Sequence, residues 1–148
     1  LFDCDLEIII FADLLLDTDM PSAAKILLVE DHADIRRLVR MTLEFEPYDI
    51  HEAANADEGL AMARRLQPDL VLLDVMMPGR LNGLDLCRLL RSDPQLAATP
   101  VLMLSARGQS ADREAGLQAG ATAYLVKPFS PIALLEQVSA VLSQGATA

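Results

Sequence analysis

Five polar residues stand directly behind short apolar runs, and their types suit one kind of chemistry. Glu30 and Asp31 follow the run Ile26–Val29, Asp74 follows "DLVLL", Ser105 follows "VLML" and Lys127 follows "AYLV". A single acid or hydroxyl in such a place commonly caps the next helix. Three carboxylates gathered on one rim, however, repel and raise one another's pKa unless a cation sits among them. Mg²⁺ takes oxygen ligands in an octahedral array and keeps several waters, so Asp31 and Asp74 are expected as direct ligands and Glu30 as one acting through water. An amine and a hydroxyl added to such a site suit phosphoryl transfer, which is mostly positioning and charge stabilisation. An aspartate there can serve as nucleophile and hold the phosphoryl group as an acyl phosphate. The Lys127 ammonium and the Ser105 hydroxyl would bind its oxygens.

These groups meet only if the runs they follow are neighbouring parallel strands. Strand-type runs occur at 26–29, 48–53, 70–73, 101–104 and 123–126. Helical spacing lies between them: Ile35, Leu38, Val39 and Leu43 share one face, as do Leu134, Leu135, Val138, Val141 and Leu142. Asn55 with Glu58, Asn82 with Asp85, and Ser130 before Pro131 predict helix starts, and Gly120 predicts a stop. Five strands alternating with five helices predict an α/β fold, a doubly wound parallel sheet covered on both faces. Sites in such sheets lie beyond the carboxyl ends of the strands, where all five polar groups fall.

Bulk properties narrow the function further. With 148 residues and 52% hydrophobic content, one domain with one packed core is expected. The net charge of −10 argues against direct nucleic-acid contact by this domain, although six acids and no base fall in the first 24 residues, leaving −4 for the rest. Cys4 and Cys87 are far apart and lack a CxxC partner, as in a reducing compartment without disulfides or zinc. No apolar run reaches the roughly 20 residues of a membrane span, and the acidic N-terminus lacks the basic start of a secretion signal. A cytoplasmic location is expected. Met20–Pro21 reads as a possible start, which would put residues 1–19 outside the core fold. The boundaries expected are an extension over 1–23, one domain over 24–144 and a tail over 145–148.

The segments "ILLVEDHADIRRLV", "PDLVLLDVMMPG", "NGLDLCRLLR", "TPVLMLSARG" and "GATAYLVKPFSP" resemble, in order and spacing, the receiver domains of two-component response regulators, including chemotaxis regulators. The resemblance implies a flavodoxin-like receiver fold with strand order 2-1-3-4-5. It implies Asp74 as phosphoacceptor, Glu30 and Asp31 as the acidic pair for Mg²⁺, and the Met76 backbone carbonyl as a further ligand. Ser105 and Lys127 would contact the phosphoryl group, and the Lys127–Pro128 peptide would be cis. Ser105 and Tyr124 would form the switch pair that biases the surface of residues 109–144. The implied partners are a sensor histidine kinase or histidine phosphotransfer protein, contacting Ala33, Ile35, Ala106 and Arg107, and a downstream protein target.

Two departures from the family pattern stand out. "MMPGRLNG" is one residue longer than the commoner form, which bears on the loop before the third helix, and His32 occupies a place where an acid is frequent. His32 and His51 are expected as solvent-facing residues rather than metal ligands, Arg36, Arg37 and Arg40 as a solvated helix face, and Met76 and Met77 as loop packing. The C-terminal helix segment "SPIALLEQVSAVLSQGATA" holds no Arg or Lys, which argues against the dimer face of receivers in winged-helix transcription factors. Nothing follows it, so a single-domain regulator and a piece of a longer chain both stay open, as does the oligomeric state. The apolar segment near the N-terminus could pair between chains. A receiver fold used as a phosphorylation-independent binding module would show losses at Asp74, Lys127 or Ser105, and none occurs. An aspartyl-phosphate hydrolase needs an acid where Met76 stands. A flavin phosphate would be repelled by Glu30 and Asp31. The expected protein is therefore a switch and not an enzyme acting on outside substrates.

Overall fold

The computed structural model describes residues 23–77, 79–105 and 110–146. Residues 1–22, on which the extension and the apolar pairing segment fall, lie outside the described residues, as do Ala106 and Arg107. The described chain alternates β1 (Lys25–Val29), α1 (Ala33–Leu43), β2 (Asp49–Ala53), α2 (Ala56–Leu66), β3 (Leu70–Asp74), α3 (Gly83–Ser92), β4 (Val101–Ser105), α4 (Ser110–Gln118), β5 (Ala123–Val126) and α5 (Pro131–Ala146). The strands form one sheet in the order β2-β1-β3-β4-β5, every neighbouring pair parallel. This is the doubly wound sheet expected from the alternation, and each strand lies within a residue of its expected bounds.

The unbroken apolar runs serve two layers at once. Side chains of a strand alternate faces, so Leu27, Val29, Val71, Leu73, Val101 and Met103 pack on one side with α2 and α3. Ile26, Leu28, Leu70, Leu72 and Leu102 pack on the other with α1 and α5. β1, β3 and β4 are buried on both faces, whereas β5, at the edge, is half-buried. Helix starts are held as their sequences predict. The Asn55 side chain accepts from Glu58 N, Asn82 and Asp85 form a reciprocal capping box, and Ser130 Oγ accepts from Ala133 N at 3.0 Å. Gly120, with φ +105°, follows the end of α4.

Register decides what reaches the rim. Val29 pairs with Leu73, Asp74 with Leu104, and Ser105 with Val126. Glu30, Asp74, Ser105 and Lys127 therefore emerge at nearly one level. The last main-chain bonds below them, Glu30 N to Ala53 O and Val75 N to Leu104 O, hold the sheet together up to that edge.

Three expectations need correction. Leu38 does not share the buried face of α1. It is 56% exposed while Val39 and Leu43 are fully buried, because it lies at the margin of the helix's buried face and lines an open cleft with Pro128 and Phe129 instead of entering the core. Arg36 and Arg40 are not a merely solvated face: both reach the Glu52 carboxylate on β2, at 3.3 and 2.6 Å, since β2 lies beside the helix at the sheet edge; only Arg37 is exposed. Met76 is exposed while Met77 is buried, so one of the two methionines, not both, is loop packing.

Arg91, on α3, has a role the sequence did not suggest. Its guanidinium donates to Gly120 O, Ala97 O, Thr99 O and Thr122 Oγ1 at 2.8, 3.1, 2.6 and 3.3 Å. It ties α3 to the loops entering β4 and β5. Arg91→Met should lower unfolding free energy by about 2 kcal/mol, the range for a bond to a charged donor; a urea midpoint unchanged from wild type would refute this.

Candidate functional site

Glu30, Asp31, Asp74, Ser105 and Lys127 converge at the carboxyl ends of β1, β3, β4 and β5. Glu30, Asp74 and Ser105 are all nearly inaccessible to solvent, an unusual place for two acids. Lys127 Nζ lies 3.0 Å from Glu30 Oε2 and 3.5 Å from Asp74 Oδ1. Its amine thus sits between the two buried carboxylates. The Lys127–Pro128 peptide is cis, as expected.

The two acids respond oppositely to this setting. Burial alone would raise Glu30, but hydrogen bonding and charge from Lys127, with further bonds from His32, hold it below its ordinary value. Asp74 is pushed from 3.8 to about 6, first by burial and then by the Glu30 charge; Lys127 and the Met76 amide, which donates to Oδ1 at 3.2 Å, only partly offset this. Asp74 is thus the carboxylate most in need of added positive charge.

The neighbouring residues fix where these groups point. Arg36 Nη1 donates to the Glu30 carbonyl at 2.7 Å, which anchors the turn carrying both acids to α1. On the other side, Gly83 N donates to Val75 O at 3.1 Å, so the start of α3 lies against the segment after Asp74. Gly79 takes φ +116°, Arg80 pairs with Asp57, and Leu81 packs on the core.

His32 was expected to face solvent, and its side chain is 63% exposed. Even so, Nδ1 stands 3.2 Å from Glu30 Oε1 and 3.3 Å from Asp31 Oδ1. Neither this contact nor the Arg36 anchor was legible beforehand. Position at a helix start was the available signal, and it does not specify where a ring turns. His51 Nε2 lies 3.2 Å from Asp49 Oδ1 on β2.

A divalent cation fits this donor set. One ligand atom from each of Glu30, Asp31, His32 and Asp74 lies within 4.8 Å of every other. Asp31 Oδ1 is buried and receives no hydrogen bond, His32 Nδ1 lying near it without hydrogen-bond geometry. A desolvated anionic oxygen without a donor is costly and is a natural ligand.

Of the remaining candidates, Tyr124 is half-buried on β5, opposite Met103. Ala33 is exposed and Ile35 partly buried. Ile35 lines an apolar cleft of about 360 Å³ with Leu38, Lys127, Pro128 and Phe129.

The sequence matches the response regulator receiver domain family over residues 26–139. The chain belongs to that family. This receiver is 48% identical over 124 residues to the transcriptional regulatory protein ResD of Bacillus subtilis, covering 84% of this chain and 50% of ResD. It is 42% identical over 118 residues to the DNA-binding dual master transcriptional regulator RpaA of Synechocystis, covering 80% and 48%. The receiver thus spans about half the length of these curated relatives. Among solved structures, the chemotaxis protein CheY4 of Vibrio cholerae superposes with a TM-score of 0.77 at 36% identity, covering 81% of this chain and 99% of that one. A putative response regulator from Chloroflexus aurantiacus gives 0.79 at 33%, covering 82% and 99%. Receivers are phosphoacceptor switches of two-component signalling, regulators rather than enzymes of external substrates. Among the described residues, no helix is long and apolar enough to cross a membrane.

Proposed function

We propose that Asp74 is the phosphoacceptor and that residues 24–144 form the switching unit, with residues 1–23 and 145–148 outside it. The observation that carries this reading is a buried Asp74 whose Oδ1 lies 3.5 Å from Lys127 Nζ at the carboxyl end of a central strand. An Asp74 oxygen attacks the phosphorus of a phosphohistidine on a sensor kinase or histidine phosphotransfer protein. The new O–P bond forms as the N–P bond breaks, and the departing imidazole keeps the electron pair and takes a proton from solvent. Lys127 then pairs with a phosphoryl oxygen and Ser105 donates to another. Hydrolysis by water returns the carboxylate, so the domain resets itself.

Asp31, Asp74 and the Met76 carbonyl would hold Mg²⁺, with Glu30 acting through water. The ion supplies the positive charge that offsets the buried carboxylates and the incoming phosphoryl group.

The output is a population shift. Ser105 moves towards the phosphoryl oxygens and Tyr124 turns inward, biasing the 109–144 surface towards a downstream protein target. Gly116 supports this role for Tyr124, because a Cβ there would lie 3.5 Å from Tyr124 Cδ2 and 3.0 Å from Met103 Sδ. The bare glycine leaves the ring room beside α4. The relatives' names support an output on transcription, reached through protein contacts rather than through nucleic-acid binding by this acidic domain. We place the domain in the cytoplasm, where kinase and target would be met. Ala33 and Ile35, beside the Ile35–Phe129 cleft, and Ala106 and Arg107 would form the kinase contact.

Acetyl phosphate with Mg²⁺, followed by intact mass measurement, tests the proposal. One added phosphoryl group is expected, absent with EDTA and absent in Asp74→Asn. An adduct that persists in Asp74→Asn would place the acceptor elsewhere.

A further inference from the structure

His32 has two structural options and takes the less usual one. It is the N-cap of α1, yet its side chain makes no cap hydrogen bond. The ring turns instead to the acids, with Nδ1 3.2 Å from Glu30 Oε1 and 3.3 Å from Asp31 Oδ1. Its nitrogen belongs to the same group of ligand atoms, all within 4.8 Å, as the three carboxylates. Two ligands bound about 2.1 Å from one ion stand at most about 4.2 Å apart, so this group needs only a small contraction to share one. Asp31 Oδ1, buried and without a hydrogen bond, lies on the His32 side of the group.

Imidazole nitrogen and carboxylate oxygen differ in the ions they favour. Oxygen ligands suit Mg²⁺, whereas imidazole suits the later first-row dications, whose affinity rises along the series from Mn²⁺ to Cu²⁺. We infer that His32 Nδ1 joins the carboxylates as a metal ligand and tilts this site towards borderline transition-metal dications such as Co²⁺, relative to Mg²⁺. The inference rests on the reading of the acidic group as a divalent-cation site. A ring that only shields the acids would act differently: removing it would ease entry of every dication alike.

Calorimetric titration of the full chain with MgCl₂ and, separately, with CoCl₂ distinguishes these cases, with the visible absorbance of Co²⁺ followed in parallel. The variants are His32→Asn and His51→Asn, which together cover both histidines of the chain. Because His32 is exposed, its replacement leaves the core intact. His32→Asn should weaken Co²⁺ binding about tenfold or more, leave Mg²⁺ affinity within about threefold, and alter the Co²⁺ spectrum, as loss of one nitrogen ligand requires. His51→Asn should change none of these. A Co²⁺-to-Mg²⁺ affinity ratio unchanged in His32→Asn, or both affinities rising together, would overturn the inference while leaving the Mg²⁺ reading in place. Failure of both ions to bind the wild-type chain would overturn both.

Discussion

Asp74→Asn should abolish phosphoryl uptake and, in the metal-free domain at neutral pH, raise thermal stability. The first effect follows from loss of the nucleophile. The second follows from the position of the carboxylate. Asp74 is buried, faces Glu30, and has its pKa raised from 3.8 to about 6. An acid whose pKa is higher folded than unfolded favours the folded state least when ionised. The resulting destabilisation is therefore absent below about pH 3.8, grows between there and about pH 6, and is full above it. A shift of this size corresponds to up to about 3 kcal/mol. The neutral amide of Asn escapes that cost while keeping much of the shape. Melting curves in EDTA should show the variant gaining several degrees at pH 7.5 and progressively less towards pH 4. Equal melting temperatures at pH 7.5 would mean that Asp74 is not held ionised against Glu30.

Gly83→Ala should unfold or badly distort the site, although alanine favours helix over glycine by about 1 kcal/mol. Gly83 is the first residue of α3, and a Cβ there would collide with the Asp74 carbonyl oxygen and lie 2.8 Å from Val75 Cα. Both are backbone atoms of the segment that aims the acceptor, so no side chain can swing aside. Overpacking of this kind costs about 3 kcal/mol, which outweighs the propensity gain. The relief available is a shift of the Asp74–Val75 backbone, and a displacement of about 1 Å can cost about 100-fold in rate. The urea midpoint and the rate of acetyl phosphate labelling should both fall. Gly79→Ala is the control. Its φ of +116° carries a backbone penalty, but nothing lies within 4 Å of the added carbon, so labelling should continue near the wild-type rate. Wild-type labelling by Gly83→Ala would show that α3 does not position the acceptor.

The elements and the site chemistry were legible for different reasons. Strands and helices announced themselves because the core imposes pattern: unbroken apolar runs on β1 and β3, buried on both faces, and caps such as Asn55 and Asn82 whose hydrogen bonds are local in sequence. The chemistry was legible because carboxylates, an amine and a hydroxyl at the ends of apolar runs conflict with burial and require a reason. Leu38 misled because helical spacing defines a face but not how far around the helix the core extends. Arg36 and Arg40 misled, and Arg91 went unnoticed, because a charged residue on a helix resembles a solvated one until the strand or loop opposite it is known.

The sequence by itself determined the parallel alternation, the two-sided core and the identity of the five polar residues, since each depends on residue type and near-neighbour spacing. Only the tertiary structure decided that Lys127 Nζ comes within 3.0 Å of Glu30 across 97 residues of chain, that Asp74 is the carboxylate whose pKa is raised, and that the exposed His32 ring brings Nδ1 to the acids. Those outcomes depend on strand register and on distances between groups far apart in sequence. A shift of one residue in the pairing of β3 with β4 would leave every local pattern intact and dismantle the site.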